Sequence, residues 1–353
     1  MIPTEPIGSI PRPQTLIDGL GAMSAGTISA EEFQQLQEAA LRDTVERFEA
    51  TGSPVISDGE QTKSSFVTYP LEGLGNLAPD GAVIPFADGH TRQLPRLTSG
   101  PFRFGVHADG YLAAAQRLAH VPVKQAVIAA SALSLIYPQE GIDGYDREAF
   151  LDDVVSECEG DIRRSLQRGA HCVQIDFTEG RLSIKLDPSG QLLRDFVALN
   201  NRVLDRFSEE DRTRIGVHTC PGGDQDSTHS ADVDYVEVLP ELFRMNVSNV
   251  YVELAGEADR VHVLKTIAEH VRPEQRVFVG VIDPIDPHVE SPEEVRDRVL
   301  EAAELLPVSS LGTTDDCGYA PFADDTSTTR DVAFEKIRAR IEGTRLAGER
   351  LGV

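Results

Sequence analysis

Tryptophan is absent from all 353 residues, cysteine occurs four times and methionine three times. With no indole, the chain has no tryptophan platform on which a flat ligand could stack. Four cysteines (Cys158, Cys172, Cys220 and Cys317) in a chain this long do not make a disulfide scaffold, so each is read as a core residue, a catalyst or a metal ligand. Basic residues are also scarce: 33 Lys and Arg stand against 58 Asp and Glu, a formal charge of −25. Nucleic acid and anionic membrane surfaces select basic patches, so neither is an expected partner. Long hydrophobic runs are missing too. The most apolar stretch, residues 126–137, contains two serines and is too short to span a bilayer. The opening decapeptide MIPTEPIGSI carries neither a basic nor an apolar signal region, from which a cytoplasmic location is expected.

What is present has a clear rhythm. Short apolar or β-branched runs recur at residues 5–10 (EPIGSI), 54–58 (PVISD), 123–130 (VKQAVIAA) and 171–177 (HCVQIDF). They continue at 214–219 (RIGVHT), 249–254 (NVYVEL), 276–282 (RVFVGVI) and 308–313 (VSSLGT). Several are apolar on both faces, as buried parallel strands are. Helical periodicity fills the gaps. Ser29 and Glu32 form a capping box that opens a helix over 31–50, and a second helix over 147–168 stops at Gly169. Further helices are expected over 192–206, 236–245, 258–270 and 291–306, with a closing C-terminal helix within 328–353.

A length prior of roughly 150 residues per domain suggests two domains. Eight strands alternating with helices instead predict one α/β unit over 1–353, a single (β/α)8 TIM barrel. Residues 64–122, rich in Gly and Pro and poor in periodicity, are read as an insertion after the second strand.

A barrel carries its chemistry at the C-terminal ends of its strands. Those ends are Ile7-Gly8-Ser9, Asp58-Gly59-Glu60, Asp176 with Glu179 just beyond, His218-Thr219-Cys220, Glu253, Asp283 and Asp315-Asp316-Cys317-Gly318. In extended chain, residues two apart face the same way, so His218 and Cys220 can chelate one ion together. One imidazole, two thiolates and the Glu253 carboxylate suit tetrahedral zinc. An all-carboxylate magnesium site would leave the thiols unexplained. Cys158, inside a helix, and Cys172, opening a strand, read as small core residues. Cys220 and Cys317 lie in the Gly-rich loops TCPGGD and DDCGYA.

The H-x-C at 218–220, the carboxylate at 253 and the late D-C-G at 316–318 resemble the zinc site of the cobalamin-independent methionine synthase family. The resemblance runs from IGSIPRP through VQIDFTEGRL to TTDDCGYAPF and corresponds to that family's C-terminal catalytic barrel. It implies zinc held by His218, Cys220, Glu253 and Cys317. It also implies contacts from Ile7 and Ser9 to the amino-acid substrate, with Glu60 and Asp176 holding its ammonium group. The implied chemistry is thiol S-methylation, with homocysteine the leading acceptor and methionine the product.

Departures from the pattern shape the expected donor. The family's additional N-terminal half-molecule is not part of this chain, the tryptophan on which its pterin stacks is missing, and a polyglutamyl tail would meet a strongly acidic protein. A donor other than polyglutamyl folate is therefore expected, with a methylated corrinoid or a corrinoid protein among the options. Ile285 falls where the family has a proton-donating histidine, and His288, three residues on, is the expected substitute.

Three rivals remain at this level. A zinc-dependent alkyltransferase could join a sulfonated thiol such as coenzyme M to an epoxide, with Arg12, Lys63 and Arg181 supplying the cationic pocket. A porphyrinogen-type decarboxylase would need no metal. A non-catalytic metal-binding protein would bind zinc and consume no thiol. The sequence leaves the oligomeric state open.

Overall fold

Six aliphatic segments pair in parallel: β1 (Gln125–Ile128), β2 (Val173–Asp176), β3 (Ile215–Thr219), β4 (Asn249–Val252), β5 (Arg276–Ile282) and β6 (Leu311–Asp315). They come from a computed structural model that describes residues 1–353. The strands lie side by side in chain order, and nearly all their residues are buried. Burial on both faces is what a sheet filled inside and covered by helices outside requires.

The first two expected strands are reduced to single bridges. Thr4 pairs in parallel with Thr313 on β6, and Ile56 pairs in parallel with Val123 just before β1. Prolines at positions 3, 6 and 54 remove the amide donors that a longer ladder would need. Closure between these two segments rests on Ile10 N–H donating to the Gly59 carbonyl (3.0 Å) and Ser57 Oγ donating to the Gly8 carbonyl (2.6 Å). The ring is thereby complete, and the fold is the (β/α)8 type with two of its eight members held by point contacts.

Helix signals translate closely. Ser29 caps Ala30–Ala50 with a full capping box, and Ser291 does the same for Pro292–Ala303. The 147–168 helix is observed as Arg147–Gln167, and the closing helix as Arg330–Leu351. The expected helix over 236–245 is broken into Tyr235–Glu237 and Leu239–Leu242, because Pro240 can only open a new turn. A helix at Glu179–Leu186, directly behind β2, was not marked by periodicity.

Residues 64–122 hold two short antiparallel ribbons, Leu77–Ala78 with Arg96–Leu97 and Val83–Pro85 with Thr91–Gln93, and a helix at Asp109–Gln116. Phe102, Phe104 and Leu112 of this segment are buried in the main core. No helix of the chain is long and apolar enough to cross a membrane.

Candidate metal and substrate site

β3 delivers His218 at its end and Cys220 one residue past it, while β6 runs out through Asp315 and Asp316 to Cys317. The Cys220 and Cys317 sulfurs lie 3.1 Å apart, and the ligand atoms of His218, Cys220 and Cys317 all fall within 4.8 Å of one another. All three side chains are buried. Neither Nδ1 nor Nε2 of His218 has a hydrogen-bond partner. A buried polar atom left without a partner costs roughly 1–3 kcal/mol, so an imidazole with both nitrogens bare asks for a ligand. The bond between the two sulfurs, with burial, pushes Cys220 up, while that bond and the His218 ring hold Cys317 well below its ordinary value.

Local chain geometry keeps these groups in place. Gly222 has φ +72°, and a Cβ there would sit 1.8 Å from His229 Nε2. Gly318 abuts Ser9, whose Oγ would lie 2.1 Å from an added Cβ. Asp316 accepts three backbone N–H bonds, from Leu254 (3.0 Å), Ala255 (2.9 Å) and Gly256 (2.7 Å), and so ties the loop after β6 to the loop after β4.

Glu253 stands outside the three-residue group. Its Oε2 accepts from Arg181 at 3.1 Å, and Arg181 also reaches Glu257 at 2.6 Å. Burial pushes Glu253 well above the ordinary carboxylate range, against the pull of Arg181.

Ile7, Ser9, Glu60 and Asp176 line one small cavity together with His218 and Cys317. Glu60 is a non-glycine residue at φ +56°, a strained conformation of the sort that clusters at functional sites, and its Oε1 pairs with Lys63 at 3.1 Å. Burial pushes the Asp176 carboxyl up to about 7, with Gln174 Nε2 donating to it at 2.7 Å. The Ser9 hydroxyl accepts from Ala320 N–H at 3.2 Å. A wider cavity of about 480 Å³ adjoins the first, sharing Phe66, Thr178, Gly222 and Gly223, and is walled by the Val83–Gln93 ribbon, Leu135, Leu182 and Phe322.

The structure corrects the reading of His288. Its ring is half-exposed and meets Glu294 at 3.2 Å, away from the cavity. The cause lies in the backbone. Asp283 accepts from Ile285 N–H and Asp286 N–H to turn the loop, and buried Lys336 donates to the carbonyls of Asp283 and His288 from below. Ile285 instead faces Gly223, with its Cδ1 3.7 Å from where a Cβ would be. The three cations considered for a sulfonate are all engaged: Arg12 with the carbonyls of Glu60, Lys63, Ala320 and Phe322, Lys63 with Glu60 and Ala126, and Arg181 as above. Sequence reasoning missed His229, which is buried against Gly222 and pushed down to about 4 by burial. No spacing marked it out.

Residues 2–333 match the model of the family described as cobalamin-independent synthase, catalytic domain. The chain belongs to this family. It is therefore an enzyme of the methionine synthase-like methyltransferases, which sets aside the porphyrinogen-type decarboxylase and the non-catalytic metal-binding protein. The family's description as cobalamin-independent gives no support to a corrinoid partner.

Among relatives of this synthase family, the chain is similar to a methionine synthase from Sulfurisphaera tokodaii, at 21% identity over 99% of this chain and 94% of that protein. It is also similar, at 24% identity over 97% of this chain, to a 5-methyltetrahydropteroyltriglutamate–homocysteine methyltransferase from Nitratidesulfovibrio vulgaris, of which it spans 42%. The fold is shared with a B12-independent methionine synthase from a Shewanella species, solved in complex with selenomethionine (TM-score 0.77, 19% identity, 99% of both chains).

Proposed function

We propose that this enzyme transfers a methyl group to the thiol of homocysteine, assisted by a zinc ion held by His218, Cys220 and Cys317 and completed by Glu253. The observation that carries the reading is the unpartnered His218 ring beside two thiols 3.1 Å apart, a buried donor set suited to a soft tetrahedral ion. When bound there, zinc would lower the pKa of the substrate thiol and keep it nucleophilic.

The chain's own residues do the rest. Glu60 and Asp176 would receive the ammonium group, since two buried carboxylates served by one lysine leave room for a second cation. Ile7 and Ser9, which line the same cavity, Ser9 beside Gly318, would orient the carboxylate end.

The adjoining cavity of about 480 Å³ is the place for the methyl donor. Its one lining cation, Arg92, is bound to Asp224 and Asp324, so no free positive charge awaits a polyanionic tail. A compact donor of low negative charge fits this lining better than a polyglutamyl folate. The engaged state of Arg12, Lys63 and Arg181 likewise disfavours a sulfonated thiol as acceptor. The relatives named methionine synthase, and the selenomethionine bound by the Shewanella protein, support homocysteine as acceptor.

The test is methionine formation by the zinc-loaded protein from homocysteine with a donor panel: mono- and polyglutamyl methyltetrahydrofolate, methylcobalamin and a methylsulfonium. Methionine with a compact donor, in preference to the polyglutamate, is the expected result. Failure with every donor, or coenzyme M consumed with an epoxide instead, would overturn the proposal.

A further inference from the structure

The insertion reaches back over the two thiol loops through one side chain. Arg92, on the Thr91–Gln93 strand of the ribbon, makes two bidentate carboxylate contacts at once. Its Nε and one terminal nitrogen meet Asp224 at 2.5 and 3.1 Å, and its terminal nitrogens meet Asp324 at 3.0 and 2.9 Å. The guanidinium also lies 4.2 Å from the centre of the Phe322 ring. Asp224 stands four residues after Cys220, and Asp324 seven after Cys317.

Asp224 is buried, so its charge depends on partners supplied from outside its own loop. Both come from the ribbon: Arg92, and His90 Nε2 at 3.0 Å. The contact is reinforced by Ala87 N–H donating to the Thr228 carbonyl (2.9 Å) and Asp88 N–H donating to Ser227 Oγ (3.3 Å). Directly between the two thiol loops, Gln225 N–H donates to Asp325 at 3.2 Å. A planar guanidinium can hold two carboxylates in one fixed relation, which an ammonium cannot do.

We propose that Arg92 is a positioning residue for the thiol pair: by bridging Asp224 and Asp324 it fixes the loop after Cys220 against the loop after Cys317. This rests on the reading of those two cysteines as the working thiols. It assigns the insertion a task in the site, beyond its share of the core.

Two measurements on the full chain test it, and one needs no metal. The first is zinc affinity by chelator competition. The second is the rate at which diamide closes a Cys220–Cys317 disulfide in metal-free protein, followed by peptide mapping. In that step both thiols lose hydrogen, the sulfurs bond, and the diazene takes up the two hydrogens to become a hydrazine.

For Arg92→Ala, zinc affinity falls by about tenfold or more, the range seen when groups supporting metal ligands are removed, and disulfide closure slows by a comparable factor. Arg92→Lys and Asp324→Ala fall between this variant and wild type. Asp324 is more than half exposed, so its variant carries the test should Arg92→Ala fail to fold. Closure rates and zinc affinities within about twofold of wild type in Arg92→Lys and Asp324→Ala overturn the proposal. A wild-type protein that takes no zinc, together with slowed closure in Asp324→Ala, contradicts the metal reading while supporting the role of Arg92.

Discussion

Asp176 and His218 are direct partners in the β2–β3 register, so a carboxylate suited to an ammonium group and an imidazole suited to a metal share one rung of the barrel. The rung brings the two halves of the proposed chemistry together: amino-acid recognition on β2 and thiol activation on β3. Cys317, just past β6, lines the same cavity.

The carboxylates are expected to act on binding. Asp176→Asn and Glu60→Gln each remove a charged partner of the ammonium group, an interaction worth roughly 1.5–3 kcal/mol. The KM for homocysteine then rises by about 10- to 100-fold, with kcat less affected. Steady-state kinetics checks this, and a fall in kcat at unchanged KM would place both residues in the chemical step instead.

At the opposite end of the barrel, Glu5 sets an acid limit on stability. Burial pushes its carboxyl up, but Lys124 at 3.3 Å and the bonds from His171 and Tyr251 prevail and hold it at about 2. A depressed carboxylate stabilises the fold above its ordinary value of 4.5 and loses that contribution as pH falls towards 2. The contribution is on the order of 3 kcal/mol. Urea midpoints measured from pH 5 to pH 2 should fall in wild type. In Glu5→Gln, which strands a buried lysine, the protein is less stable by about 3–5 kcal/mol at neutral pH and the acid slope is shallower.

His288 is expected to be dispensable. Its side chain is 55% exposed and bound to Glu294, so His288→Ala changes stability by no more than about 0.5 kcal/mol and activity by no more than about twofold. A large loss of kcat would restore it to the mechanism.

Gly318→Ala tests the fit between Cys317 and Ser9. The added methyl would lie 2.1 Å from Ser9 Oγ, and such overpacking costs about 1–3 kcal/mol. Lower thermal stability together with reduced zinc per chain is the expected pair of results. A wild-type melting curve and zinc content would show that this corner gives way freely.

Much of this was legible in the sequence, and the misses have physical causes. Strand ends, capping serines and the H-x-C spacing are local signals, and they placed the barrel and the residues now found together. The first two strands were overdrawn because their apolar pattern is strand-like, while Pro3, Pro6 and Pro54 limit them to point contacts. His288 was misplaced because only the loop's tertiary anchors, Asp283 and Lys336, decide which way it turns. Arg92 gave no signal, since its partners lie more than 130 residues away in the chain. The ion pair of Glu253 with Arg181 gave no signal in the sequence, since Arg181 comes into view only with the helix behind β2 in place.

The most direct test of the central claim is X-ray absorption at the zinc edge, with zinc content per chain, before and after homocysteine is added. The account predicts about one zinc per chain with two sulfur ligands, a third sulfur on adding homocysteine, and loss of the metal in Cys317→Ser. A folded wild-type protein that takes up no zinc, or a coordination sphere that homocysteine leaves unchanged, would contradict it.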